Sequence, residues 1–156
     1  MKCMLPCALA LTLAAASASA GRAAEPAPAS SAGAGAVEAR IDTARWESGY
    51  GERFFQVVGT VSNRSSRPVA AVRLRCELLD EAGAVVASFD GWNGRAEALG
   101  ELRGAAAQAQ LAKLAPQAIA LGATDRFRAT FLADETPKFA SQRVQVVEVL
   151  PAPEVK

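Results

Sequence analysis

From Val72 to Leu78 the chain alternates without a break: Val72, Leu74, Cys76 and Leu78 are apolar, whereas Arg73, Arg75 and Glu77 are charged. Successive side chains of a strand point to opposite faces, so this period of two directs the first set to a core and the second to water. Asp80-Glu81-Ala82-Gly83 then breaks the pattern, and Val85, Ala87 and Phe89 resume it. Asp opens turns by bonding backbone two residues on, and Gly supplies the positive φ such turns need. Residues 72–89 therefore read as a strand, a turn and a second strand, with Asp80 and Gly83 as turn formers and Cys76 facing inward.

The same logic extends along the chain. In residues 37–47, Val37, Ala39, Ile41 and Thr43 share one face, which predicts a half-buried first strand with Trp46 on its polar side. Residues 52–63 carry Phe55, Val57, Gly59 and Val61 on one face and Phe54 and Val58 on the other. Large apolar groups on both faces predict a central strand. A short Ile-Ala-Leu run at 119–121, a turn at Gly122-Ala123, a strand at 124–131, a loop at 133–141 and a strand at 142–150 complete the series. Six or seven short strands separated by turn signals predict a mainly β, antiparallel sandwich.

Residues 92–118 differ in kind, being rich in Ala, Leu, Gln and Glu with no β-branched residue. Leu99, Leu102, Ala106 and Ala109 fit one helical stripe, with Leu111 and Leu114 beside it. Asn93 suits a cap, Glu97 the positive end, Lys113 the negative end, and Pro116 closes the segment. Gly100 and Gly104 each cost ~1 kcal/mol relative to Ala, which predicts a helical excursion over 93–115 that breaks in two. Its Leu stripe is expected to dock on the sandwich and to border a binding surface.

The N-terminus predicts export. Lys2 precedes an apolar run, and Ala18-Ser19-Ala20 forms the small-x-small pattern of a cleavage site, so residues 1–20 read as a secretory signal peptide. The run is short for a membrane span, and none is expected after cleavage. Residues 21–36, rich in Ala, Pro, Ser and Gly, read as a disordered linker. The domain is expected over 37–151, followed by a tail at 152–156. The expected location is periplasmic or secreted.

Cleavage removes one charged side chain, Lys2, so the 17 basic residues fall by one to match the 16 acidic ones. A formally neutral chain with scattered charges argues against a nucleic-acid binder. Cleavage also removes Cys3 and Cys7, leaving Cys76 alone and no intrachain disulfide. The chain has no histidine, hence neither the commonest general base nor the commonest zinc ligand. No cofactor or metal is expected.

Taken in order, these features resemble the FxLYD-type domain, an Ig-like module of secreted bacterial and archaeal proteins. The family's Phe-x-Leu-Tyr-Asp motif falls on Cys76-Glu77-Leu78-Leu79-Asp80, matching at Leu78 and Asp80 and departing at the two aromatic positions. Gly59-Thr60-Val61-Ser62-Asn63 resembles its Gly-x-Val-x-Asn strand end, and Gly83 follows Asp80 as its Asp-x-x-Gly turn does. Leu121-Gly122 followed by Phe127 resembles its Pro-Gly-x-x-x-x-Phe element, with Leu for Pro. The resemblance covers roughly residues 40–150, interrupted by the helical excursion. It implies an Ig-like sandwich and carries over no catalytic residue.

Candidate sites reduce accordingly. An inward Cys76 acts as a small apolar residue rather than a nucleophile. Asp80 and Glu81, adjacent in a tight turn, point apart and offer too few oxygens for calcium. Ser62, Ser65 and Ser66 have no histidine to activate them. Asn63-Arg64-Ser65 formally fits a glycosylation acceptor. The candidates for a binding surface are Trp46, Trp92, Leu99, Leu102, Leu111 and Leu114, with Trp92 expected to pack at the hinge into the excursion. The expectation is a non-catalytic extracytoplasmic module that binds an envelope or extracellular protein. One alternative is an assembly component that pairs a partner's strand on a sheet edge. The other is a small carboxylate-based hydrolase, for which the sequence offers no paired geometry.

Overall fold

A computed structural model describes residues 36–153; the expected signal peptide, nearly all of the expected linker and the last three residues of the tail lie outside them. Six strands, β1 (Val37–Gly49), β2 (Glu52–Asn63), β3 (Val69–Leu79), β4 (Val85–Trp92), β5 (Thr124–Leu132) and β6 (Ser141–Pro151), form two antiparallel sheets. The sheet orders are β1-β2-β5 and β4-β3-β6. The protein is a β-sandwich with a helical excursion between β4 and β5. As its two apolar faces predict, β2 is a central strand, and β3 is the other.

The core lies between the sheets. Phe55, Val57, Val61, Phe127, Ala129 and Phe131 from the first meet Val72, Leu74, Cys76, Leu78 and Val144 from the second. Full burial of each large side chain stabilises by ~1.5–3 kcal/mol relative to exposure, and these areas are the main source of the fold's stability, since the one cysteine among the described residues, Cys76, is free. Ile119, in the short run between excursion and β5, makes no seventh strand. It is buried and forms one isolated bridge to Val69, exchanging both backbone hydrogen bonds at 2.8 and 3.0 Å.

Four departures from strict alternation shape the molecule, one of them at Ala70 of β3, which the pairing with β6 skips. In β1, Ile41 pairs with Gly59 and Thr43 with Val58, so Asp42 is an extra, bulged residue. A bulge shifts every later side chain to the other face. Thr43, expected inward, is therefore exposed, and Ala44 and Trp46 take the inward phase. In β4 the pairing skips Val86, which packs on the core while Val85 is exposed. In β6 it skips Val147, which is also exposed.

The outer face of the second sheet carries the charges expected there, with one difference. Arg75 forms a two-pronged pair with Asp90 at 2.7 and 2.9 Å, and Arg73 joins it at 3.4 Å. Glu77, expected in water, is buried between Arg143 and Gln145 of β6. The cross-strand arginine satisfies the carboxylate that burial would otherwise penalise.

The excursion breaks as its glycines suggest. A 3-10 helix (Gly94–Gly100) is followed by α1 (Gly104–Leu114) and a 3-10 turn (Ala115–Gln117), with Gly104 at φ +55° opening α1. Ala96, Leu99 and Leu114 bury against Ala71 on the outer face of β3, joined by Trp92, Leu111 and Leu150. Asn93 does not cap the helix with its side chain. It is fully buried, with Oδ1 accepting the Val72 backbone N–H at 2.8 Å and Nδ2 donating to Asp125 at 2.6 Å. Asp125 also accepts the Arg95 backbone N–H at 3.1 Å, and the Arg95 guanidinium donates to the Gln117 carbonyl at 2.8 Å. A short helix with few buried side chains is marginal alone; this polar chain and the small apolar cluster fix both ends of the excursion to the sandwich.

Candidate functional site

The register sets the excursion at the end of the sandwich where β1 begins and β2 ends. At the opposite end, where β1 and β3 finish, four segments enclose an open groove of about 1270 Å³. Ala44, Arg45 and Trp46 come from β1, Arg53 and Phe55 from β2, Asp80, Glu81 and Ala82 from the β3–β4 turn, and residues 136–140 with Ala133 from the β5–β6 connection.

Its floor is aromatic. Phe55 is 2% exposed and meets Phe139 edge-on at a centroid distance of 4.7 Å. Trp46 pairs with Phe55 across the strands, at 5.4 Å, and lies 6.2 Å from Phe139. The planes are inclined by 59°, 37° and 60°, so the rings form a notch instead of a flat platform. Trp46 remains 38% exposed. The bulge at Asp42 brings it here: were Asp42 paired in regular register, Trp46 would lie on the outer face, as the uninterrupted alternation predicts. Asp42 is held by Arg40 at 3.1 Å and by the Thr60 hydroxyl.

The Arg53 guanidinium lies over the Trp46 ring, 4.8 Å from its centroid. Such stacking, an attraction of ~0.5–1 kcal/mol at an exposed site, restricts the side chain and leaves the edge of its fork free to donate. Neither Arg53 nor Lys138 has a carboxylate within ion-pair distance among the described residues. Arg45, by contrast, is paired with Glu47 at 2.8 Å.

The turn on the other side is a structural device. Asp80 Oδ1 accepts the backbone N–H groups of Ala82 at 2.9 Å and Ala84 at 2.8 Å, and Gly83 takes φ +82°. Gly122 takes φ +73° and donates to the Asn63 carbonyl at 2.8 Å. The Asn63 side chain is fully buried and donates to the carbonyls of Arg67 and Ile119 while accepting from Ser65. An amide so engaged is closed to glycosylation. Cys76 is 2% exposed, and burial first, then the charges of Asp90 and Glu77, push its thiol up to about 12, so it stays protonated and unreactive near neutrality.

The structure does not bring the six candidate surface residues together. Trp92, Leu99, Leu111 and Leu114 belong to the cluster under the excursion, and Trp92, Leu99 and Leu111 also line, together with half-buried Leu102, a cleft of about 460 Å³. Trp46 alone lies in the larger groove. Its partners Arg53, Phe55 and Phe139 lie in segments that sequence reasoning treated as core or loop. Among the described residues, no group of three or more His, Cys, Asp or Glu is placed to hold a metal ion, and no helix is long and apolar enough to cross a membrane. No family model matches the chain, and neither a curated protein nor a solved structure matches it.

Proposed function

We propose that this is an exported, non-catalytic binding module that works through the groove built on Trp46, Phe55 and Phe139. The observation that carries the reading is a half-exposed tryptophan held in the inward phase by a bulge, at a concave surface assembled from four segments. Binding residues concentrate on loops held by a rigid scaffold, and open aromatic concavities are where ligands lodge. The neighbouring carboxylates favour binding over hydrolysis: Asp80 is occupied by two backbone donors, leaving Glu81 without a partnered acid.

Strand addition to an edge is less well supported. The edge strands β1, β4 and β6 carry bulges at Asp42, Val86 and Val147, and β5 carries Asp125, Arg126 and Arg128. Bulges and charges are the devices by which sheets discourage further pairing.

The chain has two tryptophans. A Trp92→Phe protein makes Trp46 the sole indole reporter, to be titrated with panels of short peptides and oligosaccharides. A saturable change in Trp46 emission, lost in Phe139→Ala, is the expected result. Ligands that bind equally well to Trp46→Ala protein would place the working surface elsewhere.

A further inference from the structure

The proposed groove has a charge pattern as well as a shape. Arg53 and Lys138 both line it, and among the described residues both lack a carboxylate partner. Arg53 is restricted by Trp46, so it can grip an incoming anion with less loss of side-chain freedom than a free arginine. Next to these cations the main chain is also open: within residues 137–139, neither the Lys138 nor the Phe139 backbone N–H donates to any described residue. Those two amides and two cations border the notch of inclined rings.

We propose that the groove recognises an extended polypeptide segment of a partner protein in which a carboxylate side chain neighbours a large apolar one. The carboxylate pairs with Arg53 and Lys138, the apolar side chain enters the notch between Trp46 and Phe139, and the main chain aligns with residues 137–139. Resting on the groove reading above, this adds the ligand's class. A polypeptide fits better than a sugar ring, which stacks on a flat, open aromatic face. Here the rings are mutually inclined, and the Trp46 ring is overlain by Arg53. Glu81, on the turn side of the groove, disfavours a second anion there and so sets the segment's direction.

The test is selection of displayed linear peptides on immobilised full-length protein, followed by titration of the enriched peptides against the Trp92→Phe protein. The expected result is enrichment of Asp or Glu within two positions of Leu, Phe, Tyr or Trp. Affinity should fall about ten- to a hundredfold for Arg53→Gln and for Lys138→Gln, the range of a lost charge-assisted hydrogen bond. Replacing the acidic residue of the peptide by its amide should give the same loss, and sodium chloride should weaken wild-type binding. Lys138, unlike Arg53, does not stack on Trp46, so its variant separates recognition from any effect of unstacking the indole.

Enriched peptides without acidic residues, or indifferent to both variants, would overturn the carboxylate assignment and leave the groove reading standing. Competition by an acidic oligosaccharide or by vesicles of anionic phospholipid, at lower concentration than any peptide, would overturn the polypeptide assignment. Peptides that bind Trp46→Ala as tightly as wild type, or a selection that enriches nothing, would remove the groove reading itself.

Discussion

Asn93 reaches back 21 residues to accept the backbone N–H of Val72 at 2.8 Å, and its amide donates at 2.6 Å to Asp125 on the other sheet. One side chain thereby joins both sheets to the start of the excursion. Asn93→Ala leaves a buried N–H and a partly buried carboxylate without that partner, and we expect a loss of about 2–3 kcal/mol in urea denaturation at neutral pH. Asn93→Asp tests the contact with Asp125 more sharply. It sets two carboxylates together, which raises the folded-state pKa of one of them. Its deficit is largest at neutral pH and shrinks as pH falls through that raised value, when the pair takes up a proton. A deficit equal at pH 7 and pH 4 would contradict the geometry.

Gly59 is the tightest point of the first sheet. A Cβ built there falls far inside contact with the Arg40 carbonyl oxygen and the Phe127 ring. Gly59→Ala is expected to cost about 2–4 kcal/mol, at or above the usual range for overpacking, because one of the obstructing groups is backbone. Phe127→Leu in the same chain should recover little, since the carbonyl remains. Full rescue by that second change would show that the ring alone closes the site.

Several of these features follow from local sequence, and others do not. Alternation at 72–78 suffices to place β3, its turn and the inward Cys76, but it puts Glu77 in water, whereas Arg143 and Gln145 of the neighbouring β6 cover it. The break at Gly100–Gly104 follows from propensity. The bulge at Asp42 has no such cue: it exists only in the pairing of β1 with β2, so alternation read along β1 alone puts Trp46 on the wrong face. The groove is harder still, as Trp46, Arg53, Glu81 and Phe139 stand in four segments that only the tertiary fold brings together. Asn93 looks like a helix cap in sequence, and its bonds to Val72 and Asp125 outcompete that local role.

Gln142 is 1% exposed on the inner face opposite Leu78, and both polar atoms of its amide lack partners among the described residues. An unsatisfied buried amide costs ~1–3 kcal/mol, whereas an apolar replacement of similar shape does not. Gln142→Leu or Gln142→Met should therefore equal or exceed the wild type in stability, and Gln142→Ala should fall below both by opening a cavity. A loss above about 1 kcal/mol in the Leu and Met variants would mean that the amide is satisfied by a water held in the core.

Cys76 supplies a prediction with a definite sign. Its folded-state value of about 12 lies above the ordinary 9.0, so the fold favours the protonated thiol. That contribution is complete below pH 9 and is lost as pH rises towards 12, at about 1.4 kcal/mol per unit. Cys76→Ala does not titrate and should be less stable by ~1 kcal/mol near neutrality, from its small cavity. The two stability curves should cross at about pH 10. Curves that stay parallel from pH 8 to 11 would show a thiol with an ordinary value.

The extra residue in β1 works like a frameshift in a two-letter code. Up to Ile41 the strand is read in one frame, and from Thr43 in the other. Its early half is thereby tied to the core, while its late half presents Trp46 to the groove, and a single codon separates the two. Deleting Asp42 would leave unbroken alternation along the whole strand with Ile41, Ala44 and Trp46 all still inward, whereas ironing out the bulge with every residue kept would turn the indole outward. The indole's orientation is thus set by how β1 registers on β2, not by the residues beside it.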